Sequence, residues 1–285
     1  MKHLNIPILC LLFSLTAAAQ ENSAAPSKPN YGWAHSLVAG LTMTQVTFTD
    51  WAQGGENALS YSISADGKSV DENPASNWTT LYKFAFGQTR LGNQGLRKTD
   101  DIIDLGSVLT YKLGSYINPY VSATFRTQFA TGYVYDAVGN TTPVSQFFDP
   151  AYITQTAGVG YQPINEIKTR LGVGLREVVT NQFNQYTDDP STLEVEKVSV
   201  DGGLESATEV NWQVSDNILF TTQLTVFDPF KTLDVAVVRD NSSITAKVSK
   251  YVTTILNLQL INEKRTTPRT QVKETLALGL SYTLF

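Results

Sequence analysis

The chain ends Leu276-Ala277-Leu278-Gly279-Leu280-Ser281-Tyr282-Thr283-Leu284-Phe285. Large apolar residues alternate with small or polar ones. Successive side chains of a strand point to opposite faces, so this segment has one apolar face and one small, polar face. That is the pattern of a barrel strand with lipid outside and water inside, closed by a terminal aromatic. The apolar stripe runs through Leu284, so Phe285 falls on the opposite parity; assembly signals usually keep the last aromatic in phase.

The alternation recurs upstream. Ile167, Thr169, Leu171, Val173 and Leu175 share one face, while Lys168, Arg170, Gly172, Gly174 and Arg176 share the other. In the next segment Val198, Val200 and Leu204 oppose Asp201, Glu205 and Glu209. Val121, Ala123, Phe125 and Phe129 alternate with Ser122, Thr124, Arg126 and Gln128, and Tyr82, Phe84 and Phe86 with Lys83, Ala85 and Gly87. Such segments fall at 36–49, 57–66, 79–90, 102–112, 119–132, 151–161, 166–179, 197–211, 218–227, 233–248, 252–262 and 273–285. Most reach the roughly 9–11 residues of a tilted membrane strand, longer than the roughly 5–6 usual in globular sheets.

The connections carry a second signal. Short turns are expected at 113–118, 162–165, 214–217 and 249–251, and longer loops at 91–101, 133–150, 180–196, 228–232 and 263–272. Outer-membrane barrels have short periplasmic turns and longer outer loops. With a periplasmic N-terminus the long connections are external, and the C-terminus returns to the periplasm. The connection Gly67–Trp78 breaks the rule, being long on the periplasmic side. Tyr116, Tyr120, Tyr161, Trp212, Tyr251 and Tyr282 fall near periplasmic strand ends, and Tyr133, Tyr135, Phe183 and Phe227 near external ones. Two aromatic belts are a feature of membrane interfaces.

The chain opens on Lys2, an apolar run from Leu4 to Ala19, and Ala17-Ala18-Ala19-Gln20. This is a secretion-signal pattern over 1–20, followed by a small, polar, proline-bearing lead-in over 21–32 and a barrel over 33–285. Cys10 is the only cysteine and lies in the signal, so the mature chain has no disulfide or cysteine metal site. Without residues 1–20 there are 20 basic and 26 acidic residues, a net charge of −6, which argues against nucleic acid. Apolar content is 42% and mean hydropathy −0.13; a barrel has this profile because only alternate residues meet lipid.

A more specific resemblance lies in Gln45-Val46-Thr47-Phe48-Thr49-Asp50-Trp51-Ala52-Gln53-Gly54-Gly55-Glu56-Asn57-Ala58-Leu59-Ser60. This resembles the Phe-x-Asn-Trp-Ala-x-Gly-Gly-Glu-Asn-Ser motif of an uncharacterised Bacteroidota family of outer-membrane β-barrels. Asp50 replaces the family's Asn and Ala58 its Ser. The Lys247-Val248-Ser249-Lys250-Tyr251 turn and the final strand are also similar. The resemblance implies fold and location, and no activity. The Gly54-Gly55 pair allows a tight turn at positive φ, with Trp51 and Phe48 packing it and Glu56 and Asn57 bonding its backbone. A stabilising hairpin and a recognition loop or constriction are both open for this motif.

Catalytic constellations are not visible. His35 is the only histidine of the mature chain, and it falls at the edge of the first strand. No nucleophile elbow, phosphate loop or histidine-rich metal motif occurs, and no cofactor is implied. Asp100, Asp101 and Asp104 read as an acidic loop end rather than a Ca²⁺ site.

The charged faces are more informative. If the 166–179 and 197–211 segments form a hairpin, Arg176 faces Asp201 and Lys168 faces Glu209, with Arg170 between Glu205 and Glu209. Opposite charges across an antiparallel pair contribute about 0.2–1 kcal/mol each. On the lipid face each basic residue would cost about 2–4 kcal/mol. Arg126, Lys168, Arg170, Arg176, Asp201, Glu205 and Glu209 are therefore candidate lumen charges. Two roles are open: a ladder bracing a filled barrel, or the lining of a narrow aqueous path.

The sequence thus predicts an all-β, antiparallel, up-and-down transmembrane barrel of about 12 strands. It is expected in a bacterial outer membrane, with membrane lipid and the assembly machinery, through the strand ending at Phe285, as partners. The expected function is a pore for small hydrophilic solutes, with a surface-interaction barrel as the alternative. A lipid-modifying barrel enzyme is disfavoured by the histidine count. The competing fold is a secreted β-sandwich.

Overall fold

The computed structural model describes residues 31–48, 55–136, 138–232, 235–264 and 267–283. Twelve strands close one antiparallel barrel: β1 (Gly32–Val46), β2 (Ala58–Glu72), β3 (Ser76–Leu91), β4 (Arg97–Tyr111), β5 (Ile117–Thr127), β8 (Ala151–Ile164), β9 (Ile167–Val179), β10 (Val198–Ser215), β11 (Ile218–Pro229), β12 (Val237–Lys247), β13 (Val252–Asn262) and β14 (Gln271–Thr283). β6 (Gly132–Tyr135) and β7 (Thr141–Ser145) form a separate hairpin inside the β5–β8 connection. Every barrel strand pairs with its chain neighbours, and β1 pairs with β14 to close the ring. Closure rules out the β-sandwich. Among the described residues no helix is long and apolar enough to cross a membrane.

The apolar stripes lie outside. Leu171, Val173 and Leu276 are 54%, 57% and 74% exposed, whereas Arg176 on the inner face of β9 is 6% exposed. Left in water, each large apolar side chain forgoes about 1.5–3 kcal/mol of burial. A continuous exterior of this kind, around a charged interior, is the inside-out arrangement of a transmembrane barrel.

One end of the barrel carries the turns 73–75, 112–116, 165–166, 216–217 and 248–251; the other carries the connections 47–57, 92–96, 128–150, 180–197, 230–236 and 263–270. The sorting is cleaner than the sequence suggested. The long Gly67–Trp78 connection is a correction: β2 runs to Glu72 and β3 starts at Ser76. The expected 91–101 loop likewise shrinks to 92–96, because β4 starts at Arg97. Asp100, Asp101 and Asp104 therefore belong to a strand, not a loop end. β1 starts at Gly32, inside the expected lead-in. The expected signal segment, Trp51, Gly54 and Phe285 lie outside the described residues.

At the short-turn end an aromatic rim faces outward. Trp33 stacks on His35 with centroids 5.6 Å apart and meets Trp78 at 5.8 Å. Tyr251 stacks on Tyr282 at 6.2 Å. His35 Nδ1 lies 2.9 Å from the Ser69 hydroxyl, which is 3.1 Å from that of Tyr82. His35 is thus built into the rim.

The closing seam is short. Among the described residues β1 and β14 share five paired positions, Val38↔Thr283 to Thr42↔Gly279, while β1 and β2 pair along their whole length, from Gly32↔Glu72 to Val46↔Ala58.

Candidate functional site

The candidate site is the lumen. Alternation within each strand turns Lys168, Arg170 and Arg176 of β9, and Asp201, Glu205 and Glu209 of β10, to the inside. The β9–β10 register sets Arg176 opposite Asp201 and Lys168 opposite Glu209. Arg170 Nη2 reaches Glu209 Oε1 at 2.7 Å. The Thr156 hydroxyl donates to Glu205 at 2.9 Å.

Other strands continue the ion-pair system. Lys112 of the β4–β5 turn pairs with Glu72 at the short-turn end. Arg126 of β5 pairs with Asp104 of β4, its Nε donating at 3.0 Å. Lys83 lies 3.9 Å from Asp66. Lys273 of β14 reaches Asp100 of β4 at 2.9 Å, across the position where β1, β2 and β3 intervene in the ring. Asp101 turns the other way. It takes Lys98 at 2.7 Å and the backbone N–H groups of Phe129 and Ala130 at 2.6 and 2.9 Å. Each of the three aspartates of the acidic group thus has its own cation.

The densest cluster lies toward the long-loop end. Arg176 Nη2 donates to Glu263 Oε1 at 2.5 Å, and Arg239 Nη2 donates to Glu263 Oε2 at 2.7 Å. The Tyr152 ring lies 5.5 Å from the Arg176 guanidinium and 5.1 Å from that of Arg239. Arg176, set opposite Asp201 by the strand register, thus also binds Glu263. Burial pushes the Glu263 carboxyl up, but the two guanidinium groups outweigh it and hold the group below the usual carboxylate range. A cavity of about 160 Å³ remains beside the cluster, lined by Arg126, Arg170, Arg176, Arg239, Tyr152 and Glu205 among others.

Glu263, Arg239 and Tyr152 were missed by sequence reasoning. Glu263 follows the last residue of β13 and looks like an ordinary loop charge; its partner Arg176 is 87 positions away. Arg239 stands next to Asp240, which masks it as half of a local pair. The inward parity of β12 was the one usable signal.

At the same long-loop end, two of the long connections are bonded to each other. The buried Asp149 carboxylate accepts the N–H groups of Asn181 and Gln182 at 3.0 and 2.7 Å. Gln128 Nε2 donates to the carbonyls of Gln146 and Asp149 at 2.7 and 2.9 Å. Phe148 packs on Phe125 of the outer wall at 5.6 Å. An open cleft of about 800 Å³ lies between the 92–96 loop and the β6–β7 hairpin, lined by Gln88, Gln94, Arg97, Tyr133 and Tyr135 among others. The Arg97 guanidinium covers the Tyr135 ring at 4.1 Å.

Part of the Gly54-Gly55 motif is also visible at this end. Gly55 has φ +144°, and a Cβ there would come within 2.6 Å of the Phe48 ring. The Phe48 N–H donates to Asn57 Oδ1 at 2.8 Å, and the Gly92 N–H donates to the Asn57 carbonyl at 2.7 Å. Glu56 lies so close to Gly92 that a Cβ there would meet its Oε1 at 1.8 Å. Glu56 and Asn57 thus join the first outer loop to the second, while Gly55 packs on Phe48 within the first.

A family model described as a protein of unknown function (DUF3078) matches residues 43–133. No curated protein matches the chain. Similar solved structures include the translocator domain of the autotransporter NalP from Neisseria meningitidis, with TM-score 0.40, 10% identity, 90% of this chain covered and 89% of that one. An outer membrane channel from Pseudomonas putida F1 has TM-score 0.40 and 10% identity, covering 94% of this chain and 98% of that one. The NanC porin has TM-score 0.36 and 8% identity, covering 87% and 98% respectively.

Proposed function

We propose that the chain is a non-enzymatic, integral outer-membrane barrel offering a narrow path to small hydrophilic solutes. The observation that carries this reading is the polar lumen itself. Replacing buried ion pairs with packed apolar residues is often neutral or stabilising, so a barrel built for stability alone has no need of charges at Arg126, Lys168, Arg170, Arg176, Asp201, Glu205 and Glu209. Twelve strands also lie between the small barrels filled by side chains and the open porins of about sixteen strands. The outer-membrane location is supported by the even strand number, with both barrel termini at the short-turn end, and by the expected secretion signal. The strand ending at Phe285 is then the one offered to the assembly machinery.

Planar-bilayer recording of refolded protein tests the path. Small, stepwise, salt-dependent currents are expected. Silence under all conditions would remove the path and leave the barrel intact.

A second reading is favoured by the bonded outer loops. Asp149 holds the two longest loops together, while Tyr133 and Phe147 are exposed. A surface-interaction barrel would act through these loops and the cleft beside Tyr135. Deleting residues 133–144 while keeping Asp149 should then abolish partner binding and spare assembly.

A further inference from the structure

We infer that Arg176 and Arg239 form a binding site for a carboxylate-bearing solute inside the lumen, and that Glu263 is its built-in occupant. The inference rests on the path proposed above. Two guanidinium groups converge on one carboxylate, one at each oxygen, at 2.5 and 2.7 Å. Arginine is suited to this geometry because its planar fork matches a carboxylate and remains charged. Both cations stand on barrel strands, β9 and β12, whose ladders fix their bases; β10 and β11 lie between them. The anion alone comes from outside the sheet, on the residue after β13. The Tyr152 ring beside both guanidiniums completes the wall.

Exchange is what this arrangement permits. Withdrawing Glu263 without replacement takes a shared carboxylate away from two largely desolvated cations, which is strongly unfavourable. Withdrawing it while a solute carboxylate enters keeps the ion pairs constant. The adjoining cavity of about 160 Å³ shares Arg176, Arg239 and Tyr152 in its lining, so it provides the entry space. The site therefore yields to carboxylates and resists solutes that lack one. The Glu263 side chain beyond its Cα is equivalent to propionate, which makes propionate the natural probe.

The test follows the thermal unfolding midpoint of the refolded, detergent-solubilised chain as propionate is added, with chloride at equal ionic strength as control. In Glu263→Gln the resident carboxylate no longer competes. The propionate concentration giving half the stabilisation should fall about tenfold, as expected when a self-occupied site becomes free. Adding Arg239→Gln to that variant should abolish the response. An equal response with and without Glu263→Gln, or one that survives Arg239→Gln, would overturn the site. Should Glu263→Gln not refold, Glu263→Asp, whose carboxylate is shorter by one methylene, must shift in the same direction. Bilayer recording of the same preparations separates the two ideas. Barrels that bind propionate but pass no current refute the path and keep the site; barrels that conduct but ignore propionate refute the site alone.

Discussion

The carboxylate of Asp149 accepts the backbone N–H of Gln182 at 2.7 Å, tying the β5–β8 connection to the β9–β10 connection. A second oxygen takes the Asn181 N–H at 3.0 Å. One side chain thereby joins two long loops that each carry their own internal turns. Asp149→Ala should leave these donors unsatisfied, at about 1–3 kcal/mol for each. The expected result is rapid proteolytic cutting within 133–150 and 180–197, while the heat-resistant barrel fragment survives. Unchanged loop resistance would refute the tie.

Lipid contact can be tested one residue at a time. Leu171→Arg places a charge on the exterior of β9, where the cost is about 2–4 kcal/mol near mid-membrane. Folding titrations into lipid vesicles should show that loss. Thr154→Arg, at an inward position lining the cavity, should cost clearly less. Equal penalties would contradict the inside-out arrangement.

Gly172 marks a place where the wall has no room for a side chain. A Cβ there would lie 2.5 Å from the Ala157 carbonyl and 2.8 Å from the Tyr120 hydroxyl. Tyr120 is buried at 3% exposure, with the Arg170 guanidinium 5.8 Å from its ring. Gly172→Ala should cost about 1–3 kcal/mol by overpacking. Denaturant unfolding in detergent would measure it, and a smaller residue in place of Tyr120 should recover part of the loss.

Acid should loosen two of the outer loops. Asp189 N–H and the Thr192 hydroxyl donate to Glu196 at 3.0 and 2.5 Å and hold it below the ordinary 4.5. The Asn140 side-chain and backbone N–H groups donate to Asp136 at 2.7 and 2.8 Å, with the same effect relative to 3.8. A depressed folded value means that the stabilisation is complete above the ordinary pKa and is lost as the pH falls through the lowered one. Hydrogen exchange at the Asp189 and Asn140 amides, corrected for intrinsic rate, should accelerate only below these values. Acceleration already near neutrality would point to another group.

Much of this architecture was legible because barrel strands are local objects. Leu171, Val173 and Leu175 announce their face by period alone, and a neighbouring antiparallel strand then fixes Arg176 opposite Asp201. The reading failed where the lipid-facing residues were not apolar. Gly67, Ser69 and Asp71 end β2 without a hydrophobic stripe, so the segment looked like a loop. Gly67 cedes its space to the Tyr82 ring, which a Cβ there would meet at 1.7 Å. Ser69 is covered by His35 and Tyr82. The Glu263 clasp was illegible for a different reason. Arg239 is on the neighbouring strand β12, whose pairing with β13 reaches Val238↔Asn262, but Arg176 stands three strands further round on β9, and no periodicity reports a contact made across a ring.

Among the described residues, the five paired positions between β1 and β14 give that joint less backbone bonding than the long hairpin of β1 with β2. A hooped vessel parts first at its least-fastened stave. Amide exchange should accordingly be fastest along this line, and slow exchange there would refute the expectation.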